Sequence, residues 1–487
     1  MEMSESHERP HEREPPPPPA LPPVSRKKQA AVLSSAFMAL ALTIGYDQCY
    51  GVFQEYYLSP SQDVLVPSPA EMSSPPTALL AFVGTLCYGL TWAGGILVNP
   101  IISRIEHGTW SSNSSSSASS SPRKRRLLLL RRRLLTPRTI TVSGVLTMSL
   151  GFTLASFSRS VWQLLLTQGF LVGMGMSLLY FPLIAPAPEY FTNHRATAMG
   201  FMLAGGGVGG LILSPVFRAL LTHLGGRWTL RIYAIYNLVA GLPTAWAVPR
   251  SRFASTVSSS SSASSPSRNE EGERGRPNTH VSRRLASRAT FILSAIAAFL
   301  QAAGGQLPLS FIPSYTVILG QTAAQGANLL AAANAINAVA RILTGYAGDR
   351  LGRQNTLLLT LLMAASSVFA FWLPSTVTES SKLWFCFLAF YSFSMGGYYA
   401  LFPALIAEVF GIRQYAAVNA FILFVRGLGT MFGSPVGGQL LGNQNENGAG
   451  AYATVAYWDG ALLMAATACC AGVRWADGKG KGWRWVA

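Results

Sequence analysis

The stretch "NAINAVARILTGYAGDRLGR" (Asn334–Arg353) changes character along its length. It begins as Ala, Ile, Val and Leu interrupted by two asparagines and one arginine, Arg341, and ends in Asp349, Arg350 and Arg353 set among glycines. An apolar run that stops at a charged cluster reads as a helix crossing a bilayer and ending at its aqueous face. About 20 apolar residues suffice to span the roughly 30 Å hydrocarbon core.

Working outward from it, the chain divides into twelve such blocks: 30–57, 77–103, 138–158, 161–187, 196–222, 228–249, 289–313, 323–348, 355–375, 382–409, 414–441 and 451–473. Half the residues are hydrophobic and only 12% are charged, against about 25% in soluble proteins. Spanning segments must satisfy their own backbone hydrogen bonds, so the expected class is an all-α integral membrane bundle. The net charge of +17 is not a nucleic-acid footprint. Most of the 37 Lys and Arg fall in the termini and the even-numbered loops, which places both termini in the cytoplasm. The plasma membrane is the expected host. Nothing before Lys28 has the pattern of a cleavable signal, and five scattered cysteines form no disulfide or metal framework.

The expected organisation is a disordered tail (1–29), a six-helix half (30–249), a linker (250–288), a second six-helix half (289–473) and a cytoplasmic tail (474–487). Within the first half, the loop 104–137 carries "SSNSSSSASSSPRKRRLLLLRRRLLTPR", whose basic run suits a disordered cytoplasmic loop or contact with anionic lipids. The halves repeat: "FPLIAPAPEYF" (Phe181–Phe191) recurs as "FPALIAEVF" (Phe402–Phe410), and each is followed by a later "SPV". Parallel six-helix repeats are a transporter architecture with the substrate site between them.

"GYAGDRLGR" (Gly345–Arg353) resembles the cytoplasmic loop motif of the major facilitator superfamily. "GVFQEYY" (Gly51–Tyr57), "EYFTNHRATAMGFMLAGGGVGG" (Glu189–Gly210) and "NAVARILTG" (Asn337–Gly345) resemble its monocarboxylate transporter family, the fungal branch in particular. The resemblance implies twelve helices in two pseudo-symmetric halves and transport by alternating access. It also implies that Arg341 holds a substrate carboxylate. The chain departs from the animal members, which carry an aspartate and a lysine where this sequence has Asn337 and, approximately, Gln48. Independently of the resemblance, the glycines at 200, 205, 206, 207, 209 and 210 suit close helix packing rather than phosphate binding.

A charge at the bilayer centre costs about 2.5–3.5 kcal/mol on insertion scales, so it faces a polar pathway. Asn334, Asn337, Arg341 and Thr344 are spaced to share one helix face, and a guanidinium suits a carboxylate because it donates two parallel hydrogen bonds. Asp47, Gln48 and Tyr50 complete the expected substrate site, with Asp47 as the proton-coupling carboxyl. At about 1.5 Å per residue, Asp47 lies about 15 Å below the tyrosines at 56 and 57, and Arg341 about 12 Å above Asp349. The two levels nearly meet, so Asp47 and Arg341 can pair until a carboxylate takes the arginine. The expected cytoplasmic gate is Gly345, Asp349, Arg350, Gly352 and Arg353, with Arg350 and Arg353 pairing with Glu408. In the first half Glu189 survives, with Arg104 as its partner. Arg426 reads either as a second cavity charge or as a helix-end partner, and Asp459 as interfacial.

No catalytic constellation, cofactor motif or metal spacing is present, so the reading is not an enzyme. It is a carrier of a small organic anion, a monocarboxylate with a proton. The alternatives are a same-fold carrier of another metabolite, such as a vitamin or an exported product, and a non-transporting sensor.

Overall fold

The computed structural model describes residues 25–66, 77–106, 136–184, 190–191, 195–248, 281, 283–441 and 448–481, and these are helical apart from short connections. Expectations for the N-terminal tail, the basic loop, most of the linker, Glu189 and the side chain of Arg104 lie outside the described residues. Ten helices are long and apolar enough to cross a membrane. One of these, Ala198–Trp246, is two helices, since Gly225 (φ 78°, ψ 173°) breaks it. Pro137–Ala155 is a further long helix of 19 residues, which gives twelve long helices among the described residues.

In chain order they are α1 (Arg26–Leu58), α2 (Thr77–Ile102), α3 (Pro137–Ala155), α4 (Val161–Ile184), α5 (195–224), α6 (226–246), α7 (Ala289–Ile318), α8 (Ala323–Leu351), α9 (Arg353–Thr378), α10 (Ser381–Phe410), α11 (Ile412–Leu440) and α12 (Tyr452–Lys481). The first six form one half of the bundle and the last six the other.

α8 shows why these sequences form such a bundle. Asn334, Asn337, Arg341 and Thr344 are buried, whereas Val339, Ile342, Leu343 and Tyr346 are exposed. A helix that turns its polar stripe inward and its apolar face outward is built for a lipid surround.

The first helix of each half is broken near its middle. α1 deviates at Thr43 (φ −95°, ψ −78°), whose hydroxyl bonds the Ala39 carbonyl at 2.7 Å, and again at Gln48–Cys49. α7 breaks at Gln306, with Pro308 two residues on. Both breaks put unsatisfied polar groups in the bundle interior, which is tolerated only where protein or a cavity surrounds them.

The halves meet along α5–α8 and α2–α11. α5 inserts its glycine face between α1 and α8: a Cβ on Gly209 would lie 2.7 Å from the Ala41 carbonyl, and one on Gly207 2.8 Å from the Asn334 carbonyl. Contact is close at one end of the bundle, where Gly51 faces the Leu309 carbonyl of α7 and Gly438 faces the backbone of Ala78. Towards the other end, a side chain added at Gly200 or Gly345 would meet nothing within 4 Å.

Two boundaries differ from the sequence expectation. α12 does not stop at 473 but continues to Lys481, because Asp477 turns inward and accepts a hydrogen bond from Gln354 Nε2 of α9 at 2.9 Å. Within the expected linker, Arg283–Ala286 form a helical turn that buries Leu285 with Phe291.

Candidate functional site

Arg341 is 4% exposed and reaches across the boundary between the halves. Its Nε donates to Asn337 Oδ1, one turn back on α8, at 3.0 Å, and Nη1 donates to the Leu203 carbonyl of α5. Asn337 in turn donates to the Ser392 carbonyl of α10 at 3.4 Å. Asn334 is 1% exposed and its amide nitrogen has no hydrogen-bond partner. The polar stripe read from the sequence therefore exists and faces inward.

A second guanidinium lies close by. Arg426 of α11 is also 4% exposed, and both arginines pack on one ring, Tyr399. The Arg341 guanidinium carbon is 5.3 Å from that ring's centre and the Arg426 carbon 4.8 Å. Arg426 also lies 5.3 Å from the rings of Trp92 and Tyr398. Among the described residues the ion pairs are Arg218–Glu55 and Arg353–Asp349, so neither central arginine is neutralised by a carboxylate. An uncompensated charge in a low-dielectric interior is costly, and here two lie within electrostatic reach of each other.

Asp47 does not pair with Arg341. Its carboxylate is 4% exposed, lies beside the Cys87 thiol of α2, and has no hydrogen-bond partner on either oxygen. Asp47 turns instead towards α2, while Ile44, three residues before it on α1, packs on Gly206 of α5, where a Cβ would stand 2.9 Å from Ile44 and 3.7 Å from Arg341 Nη1. Tyr88, one residue beyond Cys87, is within electrostatic reach of Asp47 and of both arginines. Gln48 is buried and its Oε1 is unpartnered. Tyr50 is committed elsewhere, donating to the Leu80 carbonyl at 2.6 Å and tying α1 to α2.

The loop motif also differs from its expected pairing. Arg353 binds Asp349 at 3.2 Å, and Arg350 lies over the Tyr346 ring at 4.8 Å, so neither reaches Glu408. Gly352 (φ 88°) ends α8 and restarts the chain as α9, which turns Arg353 to the surface and the next residue inward. It is Gln354, 4% exposed, whose Nε2 bonds Glu408 at 2.8 Å as well as Asp477. Gly345 stands in open space on α8. In this conformation the interactions of Asp349, Arg350 and Arg353 stay inside the second half.

Asp459, expected at the interface, is fully buried with both oxygens unpartnered. It packs against Gly304 of α7, within electrostatic reach of Tyr391 of α10. The sequence reading left Tyr88, Trp92 and Tyr399 unassigned and Arg426 open. Arg426 carried the same signal as Arg341, a lone charge within an apolar block. The rings had none, since aromatic residues are common at helix contacts.

Comparison with known proteins agrees with this architecture. Residues 132–473 match the family model described as Major Facilitator Superfamily. An MFS-type transporter of Gibberella moniliformis is 28% identical over 352 residues, 72% of this chain and 78% of its own. An agnestins efflux protein of Paecilomyces divaricatus is 23% identical, covering 84% of this chain and 80% of its own. Among solved structures, the partially occluded inward-open xylose transporter XylE of E. coli superposes with a TM-score of 0.61 at 14% identity, over 90% of this chain and 97% of its own. The nucleoside transporter NupG superposes with a TM-score of 0.59 at 11% identity, over 91% and 99%.

Proposed function

The chain belongs to the major facilitator superfamily, and from that premise we propose that it carries a small organic anion, a monocarboxylate together with a proton, by alternating access. The observation that supports this most is the pair Arg341 and Arg426, both buried where the halves meet and neither facing a carboxylate of the protein. A monoanion arriving between the halves offsets that charge. Asn337 and Asn334 orient the α8 side of the site, and Gln48 borders its α1 side. Asp47 is the proton carrier: a buried carboxyl free of any guanidinium can be neutral in one state and ionised in another as its surroundings change. The loop Gly345–Arg353, with Glu408 and with Glu189 of the first half, is the cytoplasmic gate. In this conformation Arg353 pairs with Asp349 and Arg350 lies over Tyr346, both within the second half.

Moving one proton with one monoanion transfers no net charge, whereas an uncompensated charge would cost about 2.3 kcal/mol per 100 mV. In proteoliposomes, uptake of a labelled carboxylate should therefore rise with an inward proton gradient and stay constant when the potential is clamped. Arg341→Gln should abolish it in a folded, correctly inserted protein. Potential-driven uptake, or normal uptake by that variant, would overturn the proposal. The likeness to an efflux protein favours a second reading of direction, in which the anion is a cellular product sent outward. Transport from preloaded vesicles of each orientation separates the two.

A further inference from the structure

We infer that Arg426, rather than Arg341, is the group that receives the anion's carboxylate, with the Trp92 indole N–H and the Tyr398 hydroxyl as co-donors, and that the carboxylate belongs to an aromatic acid. This rests on the anion-carrier reading above and assigns its parts.

The two arginines differ in how far they are already satisfied. Arg341 spends Nε and Nη1 on Asn337 and on the Leu203 carbonyl, contacts that hold it in place across α5 and α8. The Arg426 side chain makes no hydrogen bond to a described residue, and its buried Nε has no partner. Its contacts are the rings of Trp92, Tyr398 and Tyr399. Rings attract the charge but leave the five in-plane N–H groups of a guanidinium without acceptors. Two of those rings carry buried donors that are themselves unpartnered, Trp92 Nε1 and Tyr398 Oη. Unmatched donors from α2, α10 and α11 thus surround one cation, and a carboxylate, an acceptor-only group with two oxygens, is the complement of such a set.

The walls indicate the rest of the ligand. Trp92 stands edge-on to Tyr88, with centroids 5.8 Å apart, and to Tyr180, at 5.4 Å. Tyr398 stands edge-on to Tyr399 at 6.0 Å. Buried tyrosine hydroxyls usually find partners, yet those of Tyr88, Tyr180, Tyr398 and Tyr399 bond no described residue, and all four tyrosines lie within electrostatic reach of Arg426. A saturated aliphatic acid gains little from such rings beyond contact area. An aromatic body adds edge-to-face and offset-stacked contacts, and its polar substituents can meet the free hydroxyls.

The test is binding of radiolabelled benzoate to the purified full chain, with unlabelled benzoate, cyclohexanecarboxylate and lactate as competitors. Benzoate should compete about tenfold or more better than the other two, and Arg426→Gln should weaken benzoate binding by about 10- to 150-fold, the loss of a charge-assisted pair. Arg426→Lys, which keeps the charge and serves if the glutamine variant fails to fold, should bind at least several-fold more weakly than wild type. Trp92→Phe should show a smaller loss. Benzoate binding unchanged in both Arg426 variants would overturn the assignment, and equal competition by cyclohexanecarboxylate would overturn the aromatic class. Both outcomes leave the anion-carrier reading standing. Failure of the wild-type protein to bind or transport any of the three acids would bring down that reading itself.

Discussion

Gly51 of α1 offers a way to move the protein between its conformations without touching the substrate site. A Cβ placed on it would lie 2.8 Å from the Leu309 carbonyl, 3.1 Å from the Ser310 carbonyl and 3.2 Å from Pro313 Cδ, all on α7. Two of the three are backbone atoms and the third is locked in a proline ring, so none can swing away. Gly51→Ala therefore forces α1 and α7 apart by about half an ångström, at the cost of about 1–3 kcal/mol that overpacking carries. That cost falls only on the state in which these ends touch. If the carrier alternates, its population should shift about 5- to 150-fold towards the state open at this end. Ser314, buried on α7 with an unpartnered hydroxyl, is the reporter. A Ser314→Cys protein lacking the partly accessible Cys386, Cys469 and Cys470 is treated with a membrane-impermeant maleimide from the Gly51 side. Adding Gly51→Ala should raise the labelling rate by that factor while leaving the melting temperature nearly unchanged. An unaltered labelling rate in a folded protein would show that this contact does not close the pathway.

Gln354→Glu should be strongly destabilising, because it sets a third carboxylate within hydrogen-bond distance of Glu408 and Asp477. The loss of two hydrogen bonds to charged acceptors, at about 1.5–3 kcal/mol each, should appear as a lower unfolding midpoint in detergent, and Gln354→Leu should lose less. Tyr50→Phe removes only the bond to the Leu80 carbonyl. It should cost about 1 kcal/mol of stability and leave substrate affinity as in wild type; a changed affinity would return Tyr50 to the substrate site.

The bundle was legible because a bilayer leaves few options: apolar blocks of the right length have to be helices. The α8 stripe was legible for the same reason, since an arginine in hydrocarbon must face inward. What escaped depends on partners that carry no sequence signal. The Leu203 carbonyl that holds Arg341 is a backbone group, present at every residue. Depth counting put Asp47 and Arg341 at similar levels, but depth does not say which way a side chain turns, and Asp47 turns towards Cys87 of α2. In this conformation it is Gln354, one position beyond Arg353, that meets Glu408. A residue is about 100° of helix rotation, and the restart after Gly352 decides whether 353 or 354 points inward. Asp459 was placed by its distance from a helix end, yet a helix end covered by α7 and α10 is interior.

The placement of the two arginines constrains how the cycle can run. Arg341 belongs to α8 but donates to α5, and Arg426 belongs to α11 but packs on Trp92 of α2. Each therefore joins the two halves in the buried interior. A rocking motion that opened this interior with the site empty would strip the guanidiniums of contacts that now offset part of their burial, and unpaired buried charge is the costlier state. An anion bound to Arg426 supplies the missing compensation and travels with it. On the proposed function the empty carrier would return only if another negative group came within reach of the arginines, and Asp47, which with both arginines lies within electrostatic reach of Tyr88, is the candidate. On the proposed function, proton release by Asp47 and anion release by Arg426 would be two sides of one electrostatic requirement. Asp47→Asn should accordingly allow exchange of labelled for unlabelled substrate, in which the site is always filled, while blocking net uptake. Net uptake at the wild-type rate in that variant would mean that the empty site reorients without the carboxylate.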